Sequence, residues 1–190
     1  MKKTRFIKKG NYGYINRKKK TESLIAIAML ALCVGVYALG FYSTGSNANL
    51  LTYVAILGCL PMAKFAVSAF MFLKAKGCSE NLKNKIDAAD IIPTYYDLFY
   101  TSYKKNYQIS ALIYKRQNLI MISEDSTISV EEAENHIKEV IKNAGIHFSC
   151  TVKIYTDMDK FLERAKELKM LEEDNSDNTF LLDNLLSVSL

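Results

Sequence analysis

Two apolar stretches, Leu24–Tyr42 (LIAIAMLALCVGVYALGFY) and Leu50–Leu73 (LLTYVAILGCLPMAKFAVSAFMFL), decide the fold of this 190-residue chain. The first contains no charged residue, and the second contains one, Lys64. As α-helices they would be about 28 and about 36 Å long, enough to cross the hydrocarbon core of a bilayer. Neither has the polar face of a helix buried in a soluble protein. The sequence therefore predicts two transmembrane helices joined by an exterior loop over 43–49 (STGSNAN), which is uncharged and rich in turn formers.

The charges around these stretches predict their orientation. Residues 1–20 carry nine Lys or Arg and no acid, Lys74 and Lys76 follow the second stretch, and the loop between the stretches has no charge. Because the cytoplasmic flanks of membrane proteins retain Lys and Arg, we expect a multi-pass protein of the cell (plasma) membrane with both termini in the cytoplasm. This organisation is typical of small two-span proteins of the bacterial inner membrane.

The basic arm over 1–20 is expected to contact the lipid bilayer and its anionic headgroups. Each basic residue near such a surface contributes about 1 kcal/mol of attraction. Docking on a protein partner is an alternative. Nucleic-acid binding, with bases stacked on tyrosines, is not expected, because membrane topology alone requires a basic cluster beside the first span. The basic residues of the arm are Lys2, Lys3, Arg5, Lys8, Lys9, Arg17, Lys18, Lys19 and Lys20.

Lys64 is a candidate contact residue at membrane depth. A charge inside a span is costly and usually has a function and a partner, yet the first stretch holds no acid. Pro61 removes one helical hydrogen bond nearby and favours a kink. Three interpretations stay open: the Lys64 amino group snorkels toward the cytoplasmic end, Pro61 and Lys64 contact an acid of another membrane protein, or Lys64 takes part in transport.

Residues 78–170 are expected to form a cytoplasmic α+β domain with the order α-α-β-β-α-β-α. Its three strands would carry helices on one face or on both. The second helix of this order rests on aromatic residues that recur every three or four positions, at Tyr96, Phe99, Tyr100 and Tyr103. The predicted elements are helices over 79–89 and 94–105, a hairpin of strands over 107–114 and 118–123, a helix over 130–144, a strand over 148–155 and a helix over 158–170.

The domain offers few residues for catalysis. Glu124 and Asp125 follow a predicted strand in a nuclease-like order, but no carboxylate-x-lysine element follows them. Cys150 could act as a nucleophile with His147 or His136, although strand alternation places 147 and 150 on opposite faces. No ligand spacing typical of a metal site and no glycine-rich phosphate loop is found, so neither a metal nor a cofactor is expected.

The chain ends in residues 171–190, an acidic linker followed by an apolar tail. Phe180, Leu181, Leu185 and Leu186 can line one helical face for docking, either on the same chain or on a partner. Cys78, just after the second stretch, is a reduced thiol or a site of acylation.

Three functional hypotheses follow. The first is a membrane-anchored, non-catalytic binding or scaffold module for another membrane or cytoplasmic protein. The second is an accessory subunit of a membrane transport or secretion assembly, contacted through Lys64 and the spans. The third is a membrane-tethered enzyme, nuclease-like or thiol-dependent.

Overall fold

The computed structural model describes residues 7–102, 105–145, 150–171 and 179–190. Contacts divide the chain into two compact units: one is Ile15–Ala75, and the other joins the residues up to Tyr14 with Lys76–Leu190. In order, the helices and strands are α1 (Tyr14–Thr44), α2 (Leu50–Lys74), α3 (Glu80–Ala88), β1 (Tyr95–Thr101), β2 (Asn106–Lys115), β3 (Asn118–Ile122), α4 (Val130–Asn143), β4 (Thr151–Tyr155), α5 (Met158–Met170) and α6 (Thr179–Val188).

The first unit consists of the two long apolar helices α1 and α2. Both are long and apolar enough to cross a membrane, and only 11% of the most apolar 18-residue window of each is buried. Helix α1 begins at Tyr14, ten residues before the predicted stretch, so part of the basic arm forms its first turns. There the Lys18 amino group forms an ion pair with Glu22 at 2.8 Å.

Small residues allow α1 and α2 to approach each other. A Cβ atom added at Gly40 would lie 2.8 Å from Cβ of Leu51, and one added at Gly58 would lie 3.1 Å from Sγ of Cys33. Asn49 begins α2, since its side chain accepts a hydrogen bond from the Thr52 amide at 2.9 Å. The loop and the glycines therefore position two antiparallel helices with little side-chain volume between them.

The second unit is built on a mixed four-stranded sheet with the order β1-β2-β3-β4. β1, β2 and β3 are successive antiparallel strands, and β4 lies parallel to β3 after the crossover helix α4. The turn between β2 and β3 places Arg116 and Gln117 at φ +47° and +60°. Two consecutive left-handed residues suit the right-handed twist of a tight hairpin, which explains a short turn without an Asn-Gly pair.

Helices cover both faces of this sheet. On one face α4 and α6 pack against the strands, with Ile137 and Leu185 fully buried. On the other face α3 and α5 do so, with Leu82 and Phe161 fully buried. Since β2 is enclosed from both sides, seven of its residues in succession are buried. The sequence leaves one covered face or two as alternatives, and the fold has two.

The helix predicted over 94–105 is wrong: this segment contains strand β1 (Tyr95–Thr101), which pairs with β2. Its aromatic residues recur at helical spacing because both faces of the strand are covered, so Tyr96 packs on one face and Tyr100 on the other. Aromatic residues also favour strands, and burial on two faces removes the alternation that signals one. Tyr103 lies outside the described residues. In the described part of the domain there are thus four strands, and the order predicted for the other elements stands.

Candidate functional site

The segment that follows α2 is attached to the sheet by side-chain acceptors. It leaves the helix at Ala75, and three of its next four amides each find an acceptor on a different part of the sheet or its loops. These bonds run from the Lys76 amide to Oε1 of Gln108 at 3.2 Å, from the Cys78 amide to Oδ1 of Asp97 at 2.6 Å, and from the Ser79 amide to Oε2 of Glu124 at 2.9 Å. The acceptors come from β2, from β1 and from the residues after β3, so residues 76–79 are bonded to their own domain at three points.

Glu124 and Asp125, proposed as metal-binding carboxylates, are both engaged in local structure. Glu124 also accepts a hydrogen bond from the Ser79 hydroxyl, whose oxygen accepts from the Leu82 amide at 3.1 Å and so caps α3. Asp125 accepts from the amide and the hydroxyl of Thr127, and these bonds lower the pKa of its carboxyl group. Within the described residues, no group of three His, Cys, Asp or Glu could hold a metal ion.

Asp97 is an acid that the sequence does not reveal as special. It is 1% exposed and lies within β1 at φ +55°. Tyr95 precedes it on the α4 and α6 face, and Leu98 and Tyr100 follow on that same face. The left-handed residue therefore shifts the alternation of the strand by one position. Its carboxylate accepts the Cys78 amide, so this conformation serves the attachment of the segment after α2.

The thiols considered for reactivity are held in the neutral form. Burial, together with Glu124 and Asp97, raises the pKa of Cys78 to about 12. Burial likewise raises the pKa of Cys150 to about 11. His147 lies outside the described residues, and the ring of His136 packs beside Tyr107 with the ring centroids 5.3 Å apart. Neither thiol is in the activated state that a nucleophile needs.

Part of the basic arm packs on the domain. The Tyr96 amide donates to the Gly10 carbonyl at 2.7 Å, along the outer edge of β1. Gly10 has φ +84°, and a Cβ atom there would lie 2.6 Å from Cδ1 of Tyr95. Tyr12 meets Tyr96 edge to face at 5.9 Å, and the Lys83 amino group lies 5.4 Å from the Tyr12 ring centre. The glycines around Tyr12 therefore allow a close backbone contact with the sheet.

The basic residues of the arm have different surroundings. Lys8 is exposed, while the Lys9 amino group donates to the carbonyls of Ser187, at 3.3 Å, and Ser189. Arg17, Lys18 and Lys19 are half-buried and Lys20 is exposed in the first turns of α1, and Lys2, Lys3 and Arg5 lie outside the described residues. Burial lowers the pKa of Lys9, whose position at the carboxyl end of α6 suits a cation.

The apolar tail packs on its own domain. Leu181 and Leu185 belong to the core under α4, Leu186 is half-buried against it, and Phe180 is 62% exposed. The Tyr100 hydroxyl donates to the Leu185 carbonyl at 3.2 Å, and the Leu190 amide donates to the Phe99 carbonyl at 2.8 Å. Of the four residues predicted for docking, Phe180 alone points away from the domain surface.

Pro61 and Lys64 are both exposed on α2. Among the described residues, the Lys64 amino group forms no ion pair and no hydrogen bond. The exposed side chains Leu57 and Leu60 are its neighbours at helical spacing.

The attachment of both helix connections to β1 is the feature that sequence reasoning missed. Gly10 and Gly13 on either side of Asn11-Tyr12 are the signal that could have indicated it, because such glycines mark a close backbone approach. The described residues of this unit thus bring the Gly10 segment, the Cys78 amide and Leu190 together at β1, with no assembled catalytic group. No protein-family model, curated protein or solved structure matches the chain.

Proposed function

We propose that the protein is a membrane-anchored, non-catalytic module that holds its α/β domain at the cytoplasmic face of the plasma membrane as a binding or scaffold platform. The observation that carries the proposal is the exposed apolar surface of α1 and α2. Side chains such as Leu24, Leu39 and Leu60 are each more than half exposed. Soluble monomers rarely leave so large a contiguous apolar surface in water, whereas a bilayer would cover it.

The charges support the same placement. Basic residues flank the outer ends of the helical hairpin: Lys8 and Lys20 precede its first apolar stretch, and Lys74 ends α2. The loop between the two helices has no charge. Both termini would therefore be cytoplasmic, and the arm would meet anionic headgroups. Lys9 would take no part, since α6 engages it.

The domain supports binding better than catalysis. Of its candidate carboxylates, Glu124 binds the helix-capping Ser79 and Asp125 closes a turn, and burial holds its candidate thiols in the neutral form. A domain whose candidate reactive groups already serve its own structure is better suited to binding a partner protein on its surface than to catalysis.

Site-directed labelling tests the anchoring. In a variant with its four native cysteines replaced, Ser46→Cys reports on the loop and Glu163→Cys on the exposed side of α5. We expect a membrane-impermeant maleimide to label position 46 from outside intact cells and position 163 only after permeabilisation. The reverse pattern, or extraction of the chain by alkaline carbonate, would contradict the proposal.

A matched set of variants tests the non-catalytic part. Asp125→Asn and Cys150→Ser each remove the reactive group while nearly preserving the shape of the side chain, with the exposed Glu163→Gln as the control. We expect cells that carry either variant to behave like the control. Loss of function in one of them, with the protein inserted and stable, would favour the enzyme hypothesis.

A second function, an accessory subunit of a membrane transport or secretion assembly, is favoured by Lys64. An exposed ammonium group on an apolar helix suits a contact with another membrane protein.

A further inference from the structure

Lys64 is too far from either end of its apolar stretch to reach water easily. Lys64 lies nine positions before Leu73 and fourteen positions after Leu50, so it is about 14 Å from the nearer end and about 21 Å from the farther one along the helix. The side chain is a four-carbon stem, shorter than either distance.

The direction of the side chain makes the nearer end harder to reach. In an α-helix every Cα–Cβ bond tilts toward the amino-terminal end of the helix. In α2 that end is Leu50, the farther end from Lys64. The lysine therefore leaves the backbone toward the middle of the apolar stretch, and it must fold back on itself to snorkel toward Leu73. This holds for either orientation of α2 in a membrane.

Pro61 places a hydrogen-bond acceptor on the same side of α2. Proline has no amide hydrogen, so the Leu57 carbonyl lacks its usual donor four residues later. Positions 57, 61 and 64 share one helix face, and all three residues are exposed. The Lys64 ammonium group and a carbonyl without its usual helical donor thus lie about two turns apart on one apolar surface.

A second copy of this chain offers no matching acid. The stretches over 24–42 and 50–73 contain no Asp or Glu. Glu22 lies just before the first stretch, is buried and pairs with Lys18 at 2.8 Å. Charge complementarity therefore requires a carboxylate from a different protein.

We infer that the Leu57, Pro61 and Lys64 face of α2 docks a transmembrane helix of another protein, and that this helix carries an Asp or Glu at the depth of Lys64. The inference rests on the proposed membrane anchoring. It gives the partner a chemical class, an acidic residue within an otherwise apolar span.

A reconstituted system tests it. The full chain, labelled with a donor dye, is inserted into neutral phosphatidylcholine vesicles, where the basic arm has no anionic lipid to bind. The probes are synthetic leucine-alanine transmembrane peptides with an acceptor dye and one Glu, placed in turn at the centre, at intermediate depths and at the interface. Energy transfer measures association. We expect the probe with Glu at the depth of Lys64 to bind at least about tenfold more tightly than the probe without Glu.

Variants of the chain distinguish a specific Lys64–Glu contact from non-specific attraction between the chain and the probe. Lys64→Met should abolish the advantage of the Glu probe, Lys64→Arg should keep most of it, and Lys74→Met, the matched control at the end of α2, should leave it unchanged. A Gln probe should bind less tightly than the Glu probe. The inference would be overturned if the Glu probe bound Lys64→Met as tightly as it binds the unchanged chain. It would also be overturned if the probe with Glu at the interface bound most tightly, because Lys64 would then snorkel.

Two further measurements keep the outcomes distinct. Protease protection of α1 and α2 in the same vesicles reports insertion: an inserted chain without Lys64-dependent binding refutes the inference alone, and a chain that fails to insert refutes the proposed anchoring. Energy transfer between two labelled copies tests self-association. Self-association lost in Lys64→Met would assign the face to a second copy and would overturn the requirement for a foreign carboxylate.

Discussion

Gly10 shows how a single residue ties the amino-terminal segment to the sheet. Its φ of +84° costs little for glycine, and the missing side chain lets its carbonyl accept the Tyr96 amide at 2.7 Å. Gly13 has nearly the same φ, +81°, but a Cβ atom there would make only an ordinary contact, 4.0 Å from Cδ1 of Ile7. The two glycines therefore separate the effect of backbone conformation from that of close contact.

We predict that Gly10→Ala detaches residues 8–13 from β1 and that Gly13→Ala does so much less. Both variants carry the strain of a left-handed alanine, roughly 1–2 kcal/mol, and Gly10→Ala adds a contact of 2.6 Å with Tyr95. Hydrogen exchange of the Tyr96 amide in the detergent-solubilised full chain measures this. Equal exchange rates in the two variants would show that packing at Gly10 is unimportant.

The thiol groups give a pH-dependent prediction. Cys78 and Cys150 have pKa values raised to about 12 and about 11, so at pH 8 both should react with iodoacetamide much more slowly than in urea-unfolded protein. Since the folded state holds these protons more tightly than the unfolded state, their contribution to stability is complete below about pH 8.5 and is lost as pH rises toward 11–12. A Cys33→Ala, Cys59→Ala background restricts the reaction to the two domain thiols. Fast alkylation at pH 8 would refute the assignment.

At the scale of elements, α6 is the part whose role the sequence left undecided. Its buried face and its exposed face are separated by a few residues: Leu185 is 0% exposed and Phe180 is 62% exposed. Residue composition alone does not tell these faces apart, because both are apolar and both recur at helical spacing.

We predict that Leu185→Ala lowers the free energy of unfolding of the domain by about 2–5 kcal/mol, the usual effect of truncating a fully buried leucine. Phe180→Ala, the matched control on the same helix, should change it by less than about 0.5 kcal/mol. Hydrogen exchange of the β2 amides in the full chain reports the difference. If Phe180→Ala were the more damaging change, α6 would pack in the cell on something other than its own domain.

The sequence predicted the elements whose patterns are local. Helix α5 has the bounds Met158–Met170 in the prediction and in the structure. The predicted and observed bounds of β2 and β3 agree to within one residue at each end. β1 was missed because its environment is not local: Gly10 and Leu190 bond to its outer edge, and helices enclose both its faces. The attachment of the Cys78 amide to Asp97, nineteen residues away, leaves no pattern in the chain either.

At the scale of the whole molecule, the chain interrupts its domain with its two apolar helices. Residues up to Tyr14 belong to the same compact unit as Lys76–Leu190, and α1 and α2 are inserted between them. A domain boundary drawn after α2, as the sequence suggests, leaves out the segment that bonds to the edge of β1.

We predict that residues 76–190 alone are less stable than the same residues joined to residues 7–14 by a flexible Gly-Ser linker in place of 15–75. The segment restores the Gly10 and Tyr12 contacts, and we expect a gain of about 1–2 kcal/mol. Urea denaturation followed by tyrosine fluorescence measures it. The same fusion with Gly10→Ala is the control, and a gain that survives this change would mean that the segment acts without docking.

The hydrogen bonds of β1 to Gly10 and to Leu190 also impose an order on folding during synthesis. The Gly10 segment leaves the ribosome long before β1, and the Leu190 amide that bonds to Phe99 comes after every other described element. Until α6 has been made, one edge of the sheet and its apolar face are open to unwanted strand pairing. The domain can therefore complete its sheet only after α6 has been synthesised, well after the two apolar helices α1 and α2.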